Sequence, residues 1–385
     1  DPGNEDARPD PSFFGGPAMT YYGRWTYKME EAARHGAAAA IVVHEKGPAG
    51  YDWQIVHAFG GTRSWLASDD GNKQMVPIQG WITHETAGEL FRRAGLDYLQ
   101  MKKAANNRGF HAVSLAGETL TAHVHTNVVH FESRNVVGII PGRVHPDQVV
   151  LYTAHWDHLG MKQKPTNGDR VYNGAIDNAL GVSSILELGE AFAAEDPPPE
   201  RSIAIVSFTM EEQNLLGSQY FIEHAPWPLN HIVAAINLDA NLPEGRARDL
   251  VLYGGGANGL EPILANVLKT QDRVLSSDPD PGTGMYYRSD QLSLAKVGIP
   301  VLAPMGGYDL LQGGKAAGKA VRADYFAHRY HEPSDEYNEN WDLAGPIEDL
   351  KAFYMFGNAL ANSREWPNWN KGNEFRPVRD AYMKR

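Results

Sequence analysis

The chain has 385 residues, 42% of them hydrophobic, which is enough for one large core and a smaller second module. Its formal net charge is -12 and it has no dense run of lysine and arginine, so nucleic acid is not expected as a partner. The absence of cysteine excludes disulfides and thiolate ligands, and it leaves His, Asp and Glu as the side chains for any metal site.

The sequence indicates no membrane span, because no apolar stretch approaches the roughly 20 residues that a spanning helix needs. The start, residues 1–10, is polar and rich in proline rather than built like a signal peptide. A secreted protein loses its signal peptide on maturation, so this start leaves the compartment open. We expect a secreted or periplasmic protein whose signal peptide is not in this chain.

The first third predicts a small mixed β/α module, with a boundary near residues 131–133. Its predicted elements are a helix at 29–36, strands at 37–44 and 76–82, a helix at 84–94 and an alternating, strand-like stretch at 111–130. His123 and His125 share one face of that last stretch and could pair on a metal, although no third ligand lies nearby.

Beyond residue 133, nearly continuous apolar strands alternate with helices. The strands are predicted at 135–140, 149–154, 202–209, 232–238 and 299–303, and the helices at 178–194, 215–223 and 260–270. Such runs are typical of strands buried on both faces. The fold class predicted is therefore α/β, with a mostly parallel mixed sheet flanked by helices.

Metal-type side chains follow three of these strands, where ligands of open α/β sheets bind. These side chains are His155, Glu211, Glu212 and Asp239. Asp177 opens the helix at 178–194, and His331 lies in the loop 330–335. Each residue alone also fits a structural role, such as a helix cap or a solvated turn. Together they favour a metal site.

Two histidines and three carboxylates suit a pair of cations, because oxygens offset the charge and imidazole nitrogens suit zinc. Two metals that share one carboxylate and one water lower the pKa of that water and orient the carbonyl oxygen. Neighbouring extended residues point in opposite directions, so one of Glu211 and Glu212 can bind a metal while the other acts as general base.

The chain from Ser133 to the C terminus resembles the M28 metallopeptidases. The motifs that carry the resemblance, in family order, are His155-Trp-Asp157, Gly174-Ala-Ile-Asp177-Asn178, Glu211-Glu212 with Leu216-Gly217-Ser218, Asn237-Leu-Asp239 and Tyr330-His331. Two positions depart from the family pattern: Gln291 replaces the His of a Ser-Asp-His element, and Ile176 stands where many members have Asp. Neither departure removes a metal ligand, but both are expected to alter the pocket.

The resemblance implies a zinc-exopeptidase fold and a role for each site residue. Asp177 would bridge two zinc ions, His155 and Asp239 would complete one site, and Glu212 and His331 would complete the other. Glu211 would be the general base, Asp157 would orient His155, and Tyr330 would polarise the scissile carbonyl. His158 is expected to line the pocket or to be structural.

The first third resembles a protease-associated (PA) domain, through the segment Tyr21 to Lys28, the following helix and the strand that ends at His44. We therefore expect a PA-like domain at 1–132, incomplete at its N terminus, and an M28-type peptidase domain at 133–385. In similar enzymes the PA module is inserted into the peptidase domain, so the chain is expected to start within the insertion.

The function expected is that of a zinc-dependent aminopeptidase acting on peptides or amino-acid amides. Two Zn²⁺ ions would share a water, and Glu211 would take its proton and later protonate the leaving amine. The alternatives are acyl transfer as in glutaminyl cyclases, which use one zinc, a carboxypeptidase on the same scaffold, and a non-catalytic receptor-like binding protein.

Overall fold

The computed structural model describes residues 16, 18–49, 52–54, 56, 63–68, 72–73, 75–166 and 168–384. The polar start at residues 1–10 lies outside this part of the chain. The chain divides into two compact units, one comprising Asp1–Glu132 with Asp280–Tyr287 and the other Ser133–Pro279 with Arg288–Arg385. No helix within the described residues is both long enough and apolar enough to cross a bilayer.

The first unit contains a two-stranded parallel sheet and several helices. Its elements are α1 (Trp25–Arg34), β1 (Ala39–His44), α2 (Lys46–Ala49), β2 (Ile78–Thr83), α3 (His84–Arg93) and α4 (Tyr98–Ala105). The side chain of Thr83 caps the N terminus of α3 by accepting from the Thr86 N–H. The PA-like character of this unit stays a prediction.

The prediction of a strand at 111–130 is wrong, because these residues form no helix or strand in the structure. Alternation of apolar and polar residues specifies which face of a strand is buried, but a strand also needs a neighbouring backbone to pair with. No described strand pairs with this stretch. His123 and His125 therefore share no strand face.

The second unit is built on one large sheet. Its strands are β3 (Val136–Ile140), β4 (His145–His155), β7 (Arg201–Phe208), β8 (Ile232–Asn237), β9 (Asp249–Tyr253), β10 (Val274–Ser277) and β11 (Val301–Gly306), and β5 (Met161–Thr166) pairs separately with β6 (Asp169–Val171). The sheet order is β10-β9-β11-β8-β4-β7-β3. Within this seven-stranded sheet, as the structure describes it, four of the six pairings are parallel and two, β9–β11 and β3–β7, are antiparallel, which confirms the mostly parallel mixed sheet.

Helices cover this sheet. They are α5 (Leu180–Ala193), α6 (Leu216–Glu223), α7 (Glu261–Lys269), α8 (Gln291–Lys296), α9 (Gly314–His328), α10 (Ala344–Ala361) and α11 (Arg376–Met383). Val150, Tyr152 and Ala154 of β4 join the core cluster that includes residues of α5, α7 and α10. The intervening Val149 and Leu151 are equally buried. Since alternate residues point to opposite faces, both faces of β4 are covered.

The three central parallel strands end at one edge of the sheet. His155 at the end of β4 is in register with Phe208 at the end of β7, and Thr153 is in register with Asn237 at the end of β8. The segments that follow these strands therefore begin side by side, and this edge holds the site.

Candidate metal centre

Strained backbone follows two of the strand ends. Met210, directly before Glu211, has φ +55°, and Ala240, directly after Asp239, has φ +53°. His331 also has φ +58°. Side chains other than glycine rarely adopt this conformation, and such residues tend to cluster at functional sites. The chain turns sharply where the candidate ligands must face one another.

Asp177 lies in a tight turn, Ala175–Ala179, in which the Asp177–Asn178 peptide is cis. Buried Asp335 holds this turn: one carboxylate oxygen accepts from the Ile176 and Asp177 N–H groups at 3.1 and 3.0 Å. The Asn178 side chain donates to the Leu238 carbonyl at 2.9 Å. The turn is thus tied both to the Asp335 loop and to the end of β8.

The side chain of Asp177 lies between two groups of ligand-type atoms. Its Oδ1 is 3.1 Å from His155 Nε2, which is also 3.3 Å from Asp239 Oδ1. Its Oδ2 is 3.3 Å from His331 Nε2, which is also 3.3 Å from Glu212 Oε2. The structure thus brings together all five residues predicted as metal ligands, with one oxygen of Asp177 directed to each group.

These separations match those between ligands of one zinc ion. With zinc bonds of about 2.0–2.1 Å, two ligand atoms at a tetrahedral angle lie about 3.3 Å apart. Two clusters of metal-type side chains converge here, His155 with Asp177 and Asp239, and His158 with Asp177 and Glu212. The donor set, imidazole nitrogens and carboxylate oxygens without thiolate, therefore fits zinc.

The pKa shifts of His155 and Asp177 show that the carboxylates of this site favour a bound positive charge. Burial would lower the pKa of His155, but the charges of Asp239 and Glu211 outweigh it and raise that pKa well above its usual value. Burial also opposes ionisation of Asp177, yet hydrogen bonds from His155 and His331 hold its pKa below the ordinary range. Without metal, protons on the imidazoles supply the positive charge, and a cation would displace them.

Glu211 is buried beside this centre without belonging to either group. Burial raises its pKa well above the usual value, and the nearby His155 opposes the rise only in part. A bound cation would lower this pKa again, because positive charge favours the carboxylate. A carboxyl group with a raised pKa suits a role that first accepts and then donates a proton.

Asp157 contacts His155 through its backbone carbonyl and not mainly through its carboxylate. Its carboxylate accepts from the backbone N–H groups of Glu211 at 2.9 Å and Glu212 at 3.3 Å. The Nδ1 of His155 instead faces the backbone carbonyl of Asp157 at 2.9 Å, while the carboxylate is 3.8 Å away. Asp157 therefore orients His155 through its main chain, and its side chain fixes the turn that carries both glutamates.

Tyr330 stacks on His331, with ring centroids 3.8 Å apart and an interplanar angle of 23°. Burial raises the pKa of Tyr330 well above its usual value, so its hydroxyl remains a proton donor over the ordinary pH range. This contact places Tyr330 at the rim of the second group.

Sequence reasoning gave no role to Asp335 or Asp290. Asp335 follows a proline-containing loop, and nothing local in the sequence shows that it reaches the Asp177 turn. Asp290 is fully buried, and this burial raises its pKa to about 7. Gln291, the departure noted above, accepts from the Asn237 side chain at 2.7 Å and so anchors the end of β8.

The sequence profile of peptidase family M28 matches residues 135–355, more than half of the chain. The chain belongs to peptidase family M28. This is a family of zinc-dependent peptidases. The matched residues include all five predicted ligands, which are Asp177 and the four side chains grouped around it.

Two curated aminopeptidases show the extent of sequence similarity. The chain is 33% identical over 176 residues to Aminopeptidase NAALADL1 of Mus musculus, an alignment that covers 44% of this chain and 21% of the mouse protein. It is 33% identical over 94 residues to Aminopeptidase YwaD of Bacillus subtilis, covering 24% of this chain and 18% of that protein. The alignments thus span about a fifth of each relative.

Solved structures of similar fold include the LapA aminopeptidase of Legionella pneumophila, with a TM-score of 0.45 and 20% identity, covering 60% of this chain and 55% of that one. A glutaminyl cyclase of Porphyromonas gingivalis matches with a TM-score of 0.40 and 17% identity, covering 57% of this chain and 76% of that one.

Proposed function

We propose that this chain is a di-zinc aminopeptidase that hydrolyses the amide bond next to a free amino terminus. The observation that carries the proposal is the position of Asp177. Its two oxygens lie 3.1 and 3.3 Å from His155 and His331, and each of these histidines lies 3.3 Å from a second carboxylate. A carboxylate shared in this way suits two cations rather than one.

His155 and Asp239 would hold one zinc ion, and Glu212 and His331 the other, with Asp177 between them. When bound, the two ions lower the pKa of water and polarise the substrate carbonyl. Asp157 holds the backbone of Glu211 and Glu212, so the two neighbouring side chains keep separate tasks.

Glu211 performs the proton transfers. Its carboxylate takes a proton from the attacking water as the new C–O bond forms, and it gives that proton to the amine nitrogen as the C–N bond breaks. The Tyr330 hydroxyl donates a hydrogen bond to the carbonyl oxygen as negative charge develops there.

The acidic side chains around the site favour recognition of a free amino terminus. The carboxylates of Asp239 and Asp290 help to raise the pKa of Glu211, and that of Asp239 also helps to raise the pKa of Asp290, so negative charge is concentrated here. Two bound zinc ions would offset most of the charge of Asp177, Glu212 and Asp239, so the attraction for a substrate ammonium group rests on the acidic groups that remain, and the substrate panel below tests it.

The test is Glu211→Gln with zinc content measured alongside the turnover of amino-acid anilides. The variant is expected to keep its zinc and lose about 10²–10⁴ in kcat, the usual worth of a general base. The matched control is Glu200→Gln, because Glu200 directly precedes β7, at the opposite end of the strand that leads to Glu211. Full activity of zinc-loaded Glu211→Gln would reject the role of Glu211.

The substrate panel separates the alternative reactions. Peptides with free amino termini should be hydrolysed, and the same peptides blocked at the amino terminus should not. Hydrolysis of the blocked peptides alone would favour a carboxypeptidase. Cyclisation of amino-terminal glutamine by a protein that binds one zinc would favour acyl transfer. No turnover by a zinc-loaded protein would favour a binding protein.

A further inference from the structure

His158 lies three residues beyond His155, in the loop that follows β4, and the metal centre proposed above gives it no role. Its side chain is only 7% exposed. Both ring nitrogens are buried and lack a hydrogen-bond partner among the residues that the structure describes. A buried imidazole without partners is unusual, because leaving such polar atoms unpaired destabilises the fold.

One nitrogen of this ring lies close to a predicted metal ligand. His158 Nδ1 is 2.6 Å from Glu212 Oε1, which is also buried and also lacks a hydrogen-bond partner within the described residues. The two atoms approach closely without the alignment of a hydrogen bond. A cation that both atoms face would satisfy them together and would move them apart, from 2.6 Å toward the roughly 3.3 Å of two ligands of one zinc ion.

Asp177 and Glu212 of the second group lie close to the same ring. Ligand atoms of His158, Asp177 and Glu212 all lie within 4.8 Å of one another. The ring of His158 is 5.8 Å from the ring of His331, at an interplanar angle of 73°. The two imidazoles lie near different oxygens of Glu212, His158 near Oε1 and His331 near Oε2, so both can contribute to the same site.

The Asp177 turn makes room for this ring. A Cβ atom at Gly174 would lie 2.8 Å from His158 Cγ and 2.9 Å from Cδ2. Real Cβ atoms do not approach that closely, so the ring occupies space that only a glycine leaves free. Gly174 also has φ +62°, which favours glycine independently.

We infer that His158 is a further ligand of the metal ion held by Asp177, Glu212 and His331. This inference rests on the proposed metal centre and adds a sixth side chain to it. It makes the two sites unequal: four protein ligands surround this ion, whereas His155, Asp177 and Asp239 supply three to the other. Closed four-ligand sites hold zinc firmly, and three-ligand sites keep a position for water or substrate.

The experiment compares wild type, His158→Gln and a control, His231→Gln, each loaded with one equivalent of zinc. His231 is partly exposed and lies 3.2 Å from Asp147, at the other end of β8. X-ray absorption spectroscopy counts the imidazoles bound to the zinc, and competition with a chelator measures its affinity. Wild type and the control should show two imidazoles, from His158 and His331, and His158→Gln should show one.

The zinc affinity of the tighter site should fall at least about 10–100-fold in His158→Gln, because even residues that only hydrogen-bond to metal ligands contribute that much to affinity. A cooperative urea transition of the metal-free variant shows that it folds, and this excludes misfolding as the cause of the weaker binding. An unchanged imidazole count and affinity would overturn the inference. Failure of the proposed function would appear separately, as a zinc-loaded wild type that hydrolyses no peptide.

Discussion

Replacing Asp335 by Asn tests how the fold positions the bridging carboxylate. The Asp335 side chain accepts from the Ile176 and Asp177 N–H groups at 3.0–3.1 Å, and its own carbonyl accepts from Ala175 at 3.0 Å. In Asp335→Asn, the side-chain amide would either point its own N–H at these donors or offer them a neutral, weaker acceptor. We therefore expect two losses from this substitution.

The first loss is stability. Hydrogen bonds to a charged acceptor are worth about 1.5–3 kcal/mol, so weakening this set should lower the free energy of unfolding of the metal-free protein by about 1–3 kcal/mol. The second loss is metal affinity, because the turn that carries Asp177 is no longer fixed. An outer partner of this kind typically contributes about 10–100-fold to zinc affinity.

The assays are urea unfolding of the metal-free protein and zinc titration against a chelator. Asp249→Asn is the matched control, because buried Asp249 likewise accepts from two backbone N–H groups, those of Tyr308 and Asp309, at 2.9 and 2.7 Å. The control should lose similar stability and keep its zinc affinity. Equal zinc affinity in Asp335→Asn and Asp249→Asn would refute the reasoning.

Three further changes probe other parts of the structure. Burial raises the pKa of Asp290 from 3.8 to about 7, so its ionisation opposes folding as pH rises through that window. Between pH 4 and pH 8 the free energy of unfolding of metal-free Asp290→Asn, measured in urea, should therefore rise by up to about 4 kcal/mol relative to metal-free wild type. A difference that does not change with pH would contradict this. Tyr330→Phe keeps the ring but removes the donor, so kcat should fall about 10²–10³-fold at unchanged zinc content, and an unchanged kcat would remove Tyr330 from the mechanism. At Gly357 a Cβ would collide with the Tyr152 hydroxyl, so Gly357→Ala should lower the free energy of unfolding by about 1–3 kcal/mol. The control Gly138→Ala, whose Cβ meets no atom within 4 Å, should lower it by less than about 1 kcal/mol. Equal effects of the two substitutions in urea unfolding would contradict the packing of α10 on β4.

The sequence predicts the three central strands well, because they are buried on both faces and read as continuous apolar runs. The runs at 149–154, 202–209 and 232–238 correspond to β4, β7 and β8. Their order along the chain and the direction of parallel strands bring the residues that follow them to one edge. The convergence of His155, the Glu211-Glu212 pair and Asp239 therefore follows from pattern and topology.

Other features depend on contacts between distant residues and have no local signal. The hold of Asp335 on the Asp177 turn joins positions more than 150 residues apart. The backbone carbonyl of Asp157 faces His155, whereas its carboxylate accepts from the Glu211 backbone. Which group faces which partner depends on backbone direction, which periodicity does not reveal. The alternation at 111–130 suggests a strand, but strand formation also needs a partner strand, which the local pattern does not supply.

The most direct test of the account is a diffraction experiment on zinc-soaked crystals at the zinc absorption edge. Two anomalous peaks are expected on opposite sides of the Asp177 carboxylate, one about 2.0–2.2 Å from ligand atoms of His155 and Asp239 and the other at similar distances from Glu212 and His331. A single peak, or peaks that do not contact Asp177, would contradict the shared centre on which the proposed function depends.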